Sequence, residues 1–364
     1  MDAFAFIIHP IDPKRDVSRK YPTLGRFLTE GQINYFSTFF PPVYISEIEG
    51  IQSISTGKQV KGWFIACPYT PKRMLELPVK TVYKKLVQTG QLAEKLGAQI
   101  LGLGAFTSVV GDAGLTVARE LDVPVTTGDS YTVFIAVESI RKAAAIMDIP
   151  LSGATAAIVG ATGSIGQVCA ELLANDVGEL YLIGRRSDAL EGLRERLQPE
   201  ARAQIKTSTN MNDLQHAQLI LTVTSALHDV IHPEHLRPGS VVCDVARPRD
   251  VSALVAATRD DILVIDGGMV EVPGPVDFHF NFGFPAGKSY ACMAETIALT
   301  LEGRFEDYTV GKHITRSQVE EITAIATKHG FRLGGFRSFE REVTQEHIDQ
   351  VRQNARRVPS TRRN

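Results

Sequence analysis

The pattern of apolar and polar positions divides the chain near residue 150. Before that point, residues 3–8 (AFAFII) predict a strand, and the alternation within residues 43–67 predicts a hairpin. A helix after Pro78, the apolar run AQILGLGAF, the short strand VPVTT and a long helical segment follow in turn. Residues 1–150 are therefore predicted to form an N-terminal α/β domain that binds the substrate.

From Ala154 onward strands and helices alternate more regularly, with strands at TAAIVG, ELYLIG, QLILTVTS, SVVCDVA and DILVIDGG. This alternation predicts a mostly parallel, doubly wound Rossmann-type sheet over residues 151–284. The remaining residues 285–364 predict helices, near 286–303 and 315–329, that pack back on the first domain. The predicted fold class is thus α/β, with a Rossmann-type parallel sheet, an N-terminal α/β domain and C-terminal helices.

Composition narrows the class of protein. A chain of 364 residues with 44% apolar and 22% charged residues has room for about two globular domains and is neither disordered nor fibrous. The net charge of -2 gives no overall basic excess, so nucleic acid is not an expected partner. No apolar run approaches the roughly 18 residues of a transmembrane segment, and none is expected. A cytoplasmic location is the simplest expectation.

A glycine-rich loop follows the strand TAAIV directly and opens the next helix. Glycines at such a turn let the backbone approach a pyrophosphate, whose charge then lies against the N–H groups of the helix start. The spacing is G-x-x-G-x-x-G instead of the usual G-x-G-x-x-G, so the position between strand and helix decides the interpretation. The candidate cofactor-binding residues are Gly160, Thr162, Gly163, Ser164, Ile165 and Gly166, together with Thr222 in a later strand.

The turn after the next strand indicates which dinucleotide is bound. An acid about 20 residues beyond the glycine loop normally binds the ribose 2′-hydroxyl of NAD. Here the turn reads Gly184-Arg185-Arg186-Ser187. Guanidinium groups form bidentate, charge-assisted bonds to phosphate oxygens. The sequence therefore predicts NADPH, with Arg185, Arg186 and Ser187 at its 2′-phosphate.

Four cysteines stand far apart, and their spacing fits neither a metal site nor a disulfide framework. Cys67, Cys169 and Cys243 lie in apolar or helical segments. A free cysteine in such a place usually packs as a small apolar side chain. These three thiols are therefore expected to be structural.

Cys292 has a different setting. Residues 284–288 (FPAGK) predict the start of a helix, which would place Lys288 on the same face, four residues before Cys292. A helix N-terminus and a neighbouring ammonium group both lower the pKa of a thiol. The residues alone leave nucleophilic catalysis and core packing equally open for Cys292.

Two other groups of residues have ordinary explanations. His228, His232 and His235 lie in a connection interrupted by Pro233, so no metal is predicted there. Residues 350–364 contain five arginines and no acid, which suits an acidic carrier protein or RNA. A solvated terminus is the commoner structure for such a tail.

Several motifs in one order resemble the long-chain acyl-[acyl-carrier-protein] reductases of the cyanobacterial alkane pathway. They are residues 104–108 (GAFTS), 126–130 (TTGDS), the loop VGATGSIG, residues 290–295 (YACMAE) and residues 301–303 (LEG). The resemblance extends over about residues 4–330. It departs from the family pattern at residues 276–285 (VDFHFNFGFP) and at Asp129, where the family has asparagine.

The resemblance implies a reaction and the residues that perform it. Cys292 takes the acyl group as a thioester, NADPH reduces it to a fatty aldehyde, and Lys288 stabilises the thiolate. Acyl-carrier protein or acyl-coenzyme A is then the substrate carrier, and the family implies an aldehyde-consuming partner enzyme. Thr107, Ser108 and Asp129 are the candidate substrate-binding residues.

Two other functions stay open from the sequence. Residues 236–248 (LRPGSVVCDVARP) are similar to a segment of shikimate-dehydrogenase-like proteins, which interconvert an alcohol and a ketone without a nucleophilic thiol. A non-catalytic NADPH-binding sensor would keep the glycine loop and leave the thiol idle. An acyl adduct formed on the protein without NADPH would distinguish the reductase from both.

Overall fold

The computed structural model describes residues 1–357, which form two compact units. The first unit comprises Met1–Tyr131 and Val270–Arg332, and the second comprises Thr132–Met269 and the chain from Leu333 onward. The predicted domains were bounded differently, at residues 150 and 284. The difference arises because the helices that follow residue 290 pack on the sheet of the first unit.

Five strands form the central sheet of the first unit. They are β1 (Asp2–Ile8), β2 (Val43–Gln52), β3 (Gln59–Ala66), β4 (Ile100–Leu103) and β5 (Val125–Thr126). Their order is β2-β3-β1-β4-β5, in which β1, β3, β4 and β5 run parallel and β2 is antiparallel to β3. The strand predicted at residues 3–8 and the hairpin predicted within residues 43–67 are both confirmed.

One long helix and several short ones accompany this sheet. They are α1 (Pro13–Lys20), α2 (Pro22–Phe27), α3 (Glu30–Phe36), α4 (Pro71–Glu76), α5 (Val79–Leu96), α6 (Phe106–Val109) and α7 (Leu115–Arg119). In α5, Val82, Leu86 and Ala93 are buried at helical spacing, so one face packs on β1 and β3. The opposite face of α5 carries polar residues.

The second unit begins within α8 (Asp129–Ile146) and contains a six-stranded parallel sheet. Its strands are β6 (Thr155–Val159), β7 (Glu179–Ile183), β8 (Gln204–Ser208), β9 (Leu219–Thr222), β10 (Val241–Asp244) and β11 (Leu263–Asp266), with helices α9 (Ser164–Leu173), α10 (Ser187–Leu197) and α11 (Ala253–Thr258). The order β11-β10-β9-β6-β7-β8, with all neighbours parallel, is that of a Rossmann sheet. The predicted fold class is confirmed.

The chain then completes the first unit. Its elements there are β12 (Met269–Glu271), β13 (Lys288–Tyr290), α12 (Ala291–Glu302), α13 (Arg316–His329) and β14 (Arg332–Leu333). The strands form a small sheet in the order β13-β12-β14. Helix α12 is buried along most of its length, packs on β1, β3 and β4, and is contacted by α13. The C-terminal helices thus pack back on the N-terminal sheet, as predicted.

The start of α12 differs from the prediction. Residues 284–288 do not begin a helix, because β13 occupies Lys288–Tyr290 and α12 begins only at Ala291. The carbonyl oxygen of Gly287 accepts the N–H of Val272, so the backbone there pairs with a neighbouring segment instead of winding into a helical turn. The prediction that Lys288 shares a helix face with Cys292 is therefore wrong.

The C-terminal segment contains β15 (Arg337–Ser338), β16 (Arg341–Glu342) and α14 (Gln345–Arg357). Ile348 and Val351 of α14 are buried, and Arg352 forms an ion pair with Asp148. Residues 350–357 of the basic tail are therefore helical and partly buried, which corrects the expectation of a solvated terminus. Residues 358–364 of that tail lie outside the described residues.

Replacing Val351 tests how firmly α14 is anchored. Its side chain is 1% exposed, and Val351→Ala should lower the free energy of unfolding by about 2 kcal/mol because two buried methyl groups are lost. Arg356→Ala is the matched control in the same helix, since Arg356 is 73% exposed, and should change it by less than about 0.5 kcal/mol. Urea denaturation followed by circular dichroism measures both. Equal urea midpoints for the two variants would show that the Val351 side chain does not anchor α14.

Candidate active site

Polar residues follow the carboxyl ends of three neighbouring parallel strands in the first unit. His9 follows β1, residues 104–108 follow β4, and residues 127–130 follow β5. In open α/β sheets, ligands bind outside the carboxyl ends of the strands. This edge of the sheet is therefore the candidate active site.

Cys292 lies at this edge, in the first turn of α12. A Cβ atom on Gly128 would come within 2.2 Å of the Cα and 2.4 Å of the Cβ of Cys292, so only glycine permits the contact. The backbone N–H groups of Met293 and Ala105 act as hydrogen-bond donors to the sulfur. Cys292 is partly exposed, whereas Cys67, Cys169 and Cys243 are buried, and all four are free thiols.

The surroundings of Cys292 disfavour its thiolate. Although Cys292 is partly exposed as a residue, burial of its thiol, with the charges of Asp129 and Glu295, raises the thiol pKa to about 12, against the opposing effect of the two N–H donors. Burial and the charge of Glu295 also raise the pKa of Asp129 to about 8. The lowered thiol pKa expected from the sequence is therefore wrong. Nucleophilic attack by Cys292 needs a nearby acceptor for the thiol proton.

Lys288 is not placed on the helix of Cys292, from which its charge was expected to lower the thiol pKa. It lies on β13, before α12 begins, and its positive charge helps to lower the pKa of Glu271. The structure therefore places Lys288 beside an acid of the neighbouring strand, while the candidate nucleophile Cys292 lies on the helix that follows.

The loop after β4 has an unusual backbone at Ala105, with φ 47° and ψ -123°. A residue with a side chain rarely adopts this conformation, and such residues cluster at functional sites. The Thr107 hydroxyl donates to the Gly104 carbonyl oxygen at 2.7 Å and accepts the Gly104 N–H at 3.0 Å. The Ser108 hydroxyl donates to the Ala105 carbonyl oxygen at 2.7 Å. Thr107 and Ser108, predicted to bind substrate, thus use their side chains to hold the loop in shape.

His9 supports the same loop from the end of β1. Its Nε2 accepts the N–H of Phe106 at 2.9 Å. Burial lowers the pKa of His9 to about 4, so the ring is neutral at physiological pH. His9 was not among the residues predicted from the sequence, although its place directly after the buried strand AFAFII was a usable signal.

Glu295 fixes α12 to its neighbours. The residue is completely buried. Its carboxylate accepts hydrogen bonds from the Thr126 hydroxyl (2.5 Å), the Ser130 hydroxyl (2.6 Å), the Tyr131 N–H (2.9 Å) and the Thr309 hydroxyl. Hydrogen bonds to a charged group compensate the cost of burying it. Because Glu295 lies one helical turn after Cys292, this network helps to position Cys292 against Gly128.

In the second unit, the glycine loop connects β6 to α9. A Cβ atom on Gly160 would lie 2.7 Å from the Val223 carbonyl oxygen, and one on Gly166 would lie 2.3 Å from the Gly160 carbonyl oxygen. Gly163 precedes α9 without a side-chain cap, which leaves the first N–H groups of the helix for an anion. Thr222 is placed differently, because its buried hydroxyl donates to Asp250 at 2.6 Å.

Arg185, Arg186 and Ser187 follow β7, at the position predicted for a 2′-phosphate, and all three are exposed. Within the residues that the structure describes, neither guanidinium group forms an ion pair. Both are therefore free to bind an anionic ligand.

Two of the three histidines considered for a metal, His232 and His235, contact each other. The N–H of His232 donates to Nδ1 of His235 at 3.1 Å. In the described part of the chain, no group of three His, Cys, Asp or Glu side chains is arranged to hold a metal ion.

Comparisons with known proteins find several relatives. The profile described as shikimate / quinate 5-dehydrogenase matches residues 141–266. "Aminotransferase PigE" of Serratia sp. is 31% identical over 354 residues, and the chain spans only 41% of that protein's length. The long-chain acyl-[acyl-carrier-protein] reductase of Synechococcus elongatus is 29% identical over 336 residues, which cover 88% of this chain and 95% of the reductase.

The chain is related to NAD(P)-dependent oxidoreductases. The dehydrogenase profile covers the Rossmann unit, and the similarity to the reductase extends over both units. The predicted cofactor class, a nicotinamide dinucleotide, is confirmed, and NADPH is consistent with these relatives. Among solved structures, L-tryptophan dehydrogenase from Nostoc punctiforme is similar to this chain over 97% of the chain and 88% of its own length, with 12% identity and a TM-score of 0.42.

The charge of Asp129 should control the reactivity of Cys292. Above pH 8 Asp129 is mainly ionised and disfavours the thiolate. Alkylation by iodoacetamide depends on the thiolate present at equilibrium, not on a proton acceptor during the attack. Asp129→Asn should therefore lower the thiol pKa and speed alkylation of Cys292 by iodoacetamide about five-fold at pH 9.5. At pH 6.5, where Asp129 is protonated, the variant and the parent should react alike.

Peptide mapping by mass spectrometry follows Cys292 separately from the other thiols. Cys169 is buried and serves as the internal control in the same samples. An Asp129→Asn protein that reacts no faster than the parent at pH 9.5 would show that this charge does not act on the sulfur.

Proposed function

We propose that the protein uses NADPH to reduce a long-chain fatty acyl thioester to a fatty aldehyde, through an acyl-enzyme on Cys292. The observation that carries the proposal is the place of Cys292 in the first turn of α12, with the N–H groups of Ala105 and Met293 at its sulfur. The similarity to a long-chain acyl-[acyl-carrier-protein] reductase over 95% of that protein supports the same reaction. Acyl-carrier protein and acyl-coenzyme A are the proposed substrate carriers.

In the first half of the proposed reaction, the sulfur of Cys292 attacks the thioester carbonyl carbon. The ionised form of Asp129 accepts the thiol proton and passes it to the departing thiolate, so an acyl-enzyme and a free thiol result. A pKa near 8 suits this role, because Asp129 then both takes and releases a proton near neutral pH. The N–H groups of Ala105 and Met293 are the proposed donors to the oxyanion of the tetrahedral intermediate.

In the second half, NADPH held by residues 160–166 would supply a hydride, and the acyl thioester on Cys292 would thereby become a hemithioacetal. Cleavage of its carbon–sulfur bond releases the aldehyde and leaves Cys292 as a thiolate. Asp129, reprotonated from solvent, returns a proton to the sulfur. One thioester, one NADPH and one proton thus give one aldehyde, one thiol and NADP⁺.

The second unit fits the cofactor that this reaction needs. The close contacts around Gly160 and Gly166 leave a backbone cradle without side chains, as a pyrophosphate requires. Arg185 and Arg186 are exposed at the turn that binds the adenosine ribose in Rossmann domains. We assign the pyrophosphate to residues 160–166 and the 2′-phosphate to the Arg185-Arg186-Ser187 turn. The Thr222 side chain is left out of this assignment because Asp250 engages it.

A shikimate-dehydrogenase-like oxidation of an alcohol to a ketone is the second candidate function. The match of residues 141–266 to the shikimate / quinate 5-dehydrogenase profile favours it. That match lies entirely within the second unit and does not include Cys292. An aldehyde-consuming partner enzyme stays a prediction from the sequence resemblance.

Replacing both arginines of the turn tests the choice of NADPH. Arg185→Ala with Arg186→Ala should raise the KM for NADPH by about ten-fold or more, because each lost charge-assisted bond contributes roughly 1.5–3 kcal/mol. The KM for NADH should change little, since NADH has no 2′-phosphate. Arg202→Ala replaces another exposed arginine of the same unit and is the control. Equal use of both cofactors by the unmodified protein would argue against the assignment.

Acylation without cofactor tests the role of Cys292. The protein is incubated with a C16 acyl-coenzyme A in the absence of NADPH, and its intact mass is measured. The parent and Cys169→Ala should gain one acyl group, whereas Cys292→Ala should gain none because it lacks the nucleophile. Cys292→Ala should also lose aldehyde formation while it keeps its affinity for NADPH.

Two results of that experiment would count against the proposal. One is an acyl adduct on Cys292→Ala, which would place the nucleophile elsewhere. The other is a parent protein that forms no adduct but oxidises an alcohol with NADP⁺, which would favour the dehydrogenase alternative.

A further inference from the structure

Four aromatic side chains are exposed at the end of α3 and in the segment that leads to β2. The exposed fractions are 56% for Tyr35, 42% for Phe36, 69% for Phe39 and 47% for Phe40. The Tyr35 ring contacts those of Phe36 and Phe39 edge-on, with centroids 5.5 and 5.7 Å apart. We call these four residues the aromatic patch. Large apolar side chains that cluster on a surface in this way mark a binding site.

The polar face of α5 presents a row of positive charge. Lys80, Lys84, Gln88, Gln91 and Lys95 are all exposed, and steps of three or four residues place them on one side of the helix. We call these five residues the lysine stripe. It contains three lysines and no acid, so this side of the helix attracts anions.

The aromatic patch contacts α5, the helix that carries the lysine stripe, through Lys85, the neighbour of Lys84. The Nζ atom of Lys85 donates to the carbonyl oxygen of Phe40 at 2.8 Å. An open groove of about 480 Å³ lies between the aromatic patch and the lysine stripe. It is lined by Phe39, Pro41, Pro42, Lys85, Gln88, Gln91, Leu92 and Lys95. The patch and the stripe therefore border one groove and form one continuous surface.

The surrounding helices reinforce the positive charge. Residues 12–42 and 71–96, which contain α1 to α5, include eleven Lys or Arg and five Asp or Glu, a net charge of +6. The whole chain has a net charge of -2, so the rest of the molecule is acidic. Positive charge is thus concentrated around the exposed aromatic rings.

We propose that the aromatic patch and the lysine stripe together bind the surface of an anionic lipid bilayer. Lysines near a membrane are attracted to anionic headgroups, and aromatic rings insert at the level of the headgroups. The groove between Phe39 and Lys95 has room for a headgroup phosphate, with Lys85 and Lys95 at its walls. No helix among residues 1–357 is long and apolar enough to cross a bilayer, so the binding proposed here is peripheral.

An acidic protein is the competing partner for this surface. It would satisfy the same lysines, but aromatic anchors at protein interfaces are buried in well-packed, matching pockets. Four neighbouring rings with exposures of 42–69% fit an interfacial layer better, because such a layer accepts apolar groups without a shaped pocket. The proposal does not depend on the reaction assigned to Cys292.

Flotation of the full-length protein with lipid vesicles tests the proposal. Binding to phosphatidylcholine vesicles with about 30% phosphatidylglycerol should exceed binding to pure phosphatidylcholine by about ten-fold or more, and should fall in high salt. Phe39→Ser with Phe40→Ser should lower the partition coefficient about ten-fold by removing inserted apolar surface. Lys80→Glu with Lys84→Glu should lower it at least as much by reversing charge.

Two matched variants separate the proposed surface from general effects. Leu254→Ser removes an exposed apolar side chain, and Lys142→Glu reverses an exposed charge, both in the second unit. Both should bind vesicles like the parent. All variants should keep the parent's thermal midpoint and NADPH affinity, which shows that they are folded.

Three outcomes would overturn the proposal. The first is a parent protein that does not float with anionic vesicles, and the second is equal binding to neutral and anionic vesicles. The third is a set of patch and stripe variants that bind like the parent. If the parent fails to float while Lys80→Glu with Lys84→Glu raises the KM only for substrates on acyl-carrier protein, the surface binds an acidic protein instead.

Discussion

The carboxylate of Glu295 is buried among elements that are far apart in the sequence, and the candidate site depends on how it is satisfied. Its hydrogen bonds come from Thr126 on β5, from the first turn of α8 and from Thr309 after α12. A buried carboxylate without donors costs several kcal/mol, so these elements are held together around it. The close contact of Gly128 with Cys292 lies within the same arrangement. One buried charge thereby sets the place of the candidate nucleophile.

The same burial imposes a chemical compromise. Excluding water strengthens hydrogen bonds to a developing oxyanion, which favours the N–H groups of Ala105 and Met293. It also penalises the Cys292 thiolate and the Asp129 carboxylate, whose pKa values both rise. An asparagine at position 129, as in the family that the sequence resembles, would remove one negative charge from the site. This chain instead keeps a group that can take a proton from sulfur.

Local patterns were enough to predict the strands of both sheets except β8, together with the glycine loop and the arginine turn, because each depends on residues close in sequence. They failed at residues 284–288, where proline and glycine are typical of a helix start but β13 pairs with a distant strand. His9 and Glu295 were missed for a related reason. Their roles depend on contacts between separate strands and helices, and such contacts produce no regular spacing in the sequence. The raised pKa of Cys292 likewise depends on burial that only the folded chain shows.

The first unit is assembled from two stretches of chain, with residues 132–269 between them. On the ribosome, β1, β3 and β4 are therefore synthesised well before α12, the helix that covers them. Until then their apolar face has no native partner, while the intervening unit is able to fold first. The nascent chain thus passes through a long stage at which chaperones, or other nascent chains nearby, have access to that face. We therefore expect the yield of folded protein in a cell to depend on how quickly α12 is translated and packs on that face.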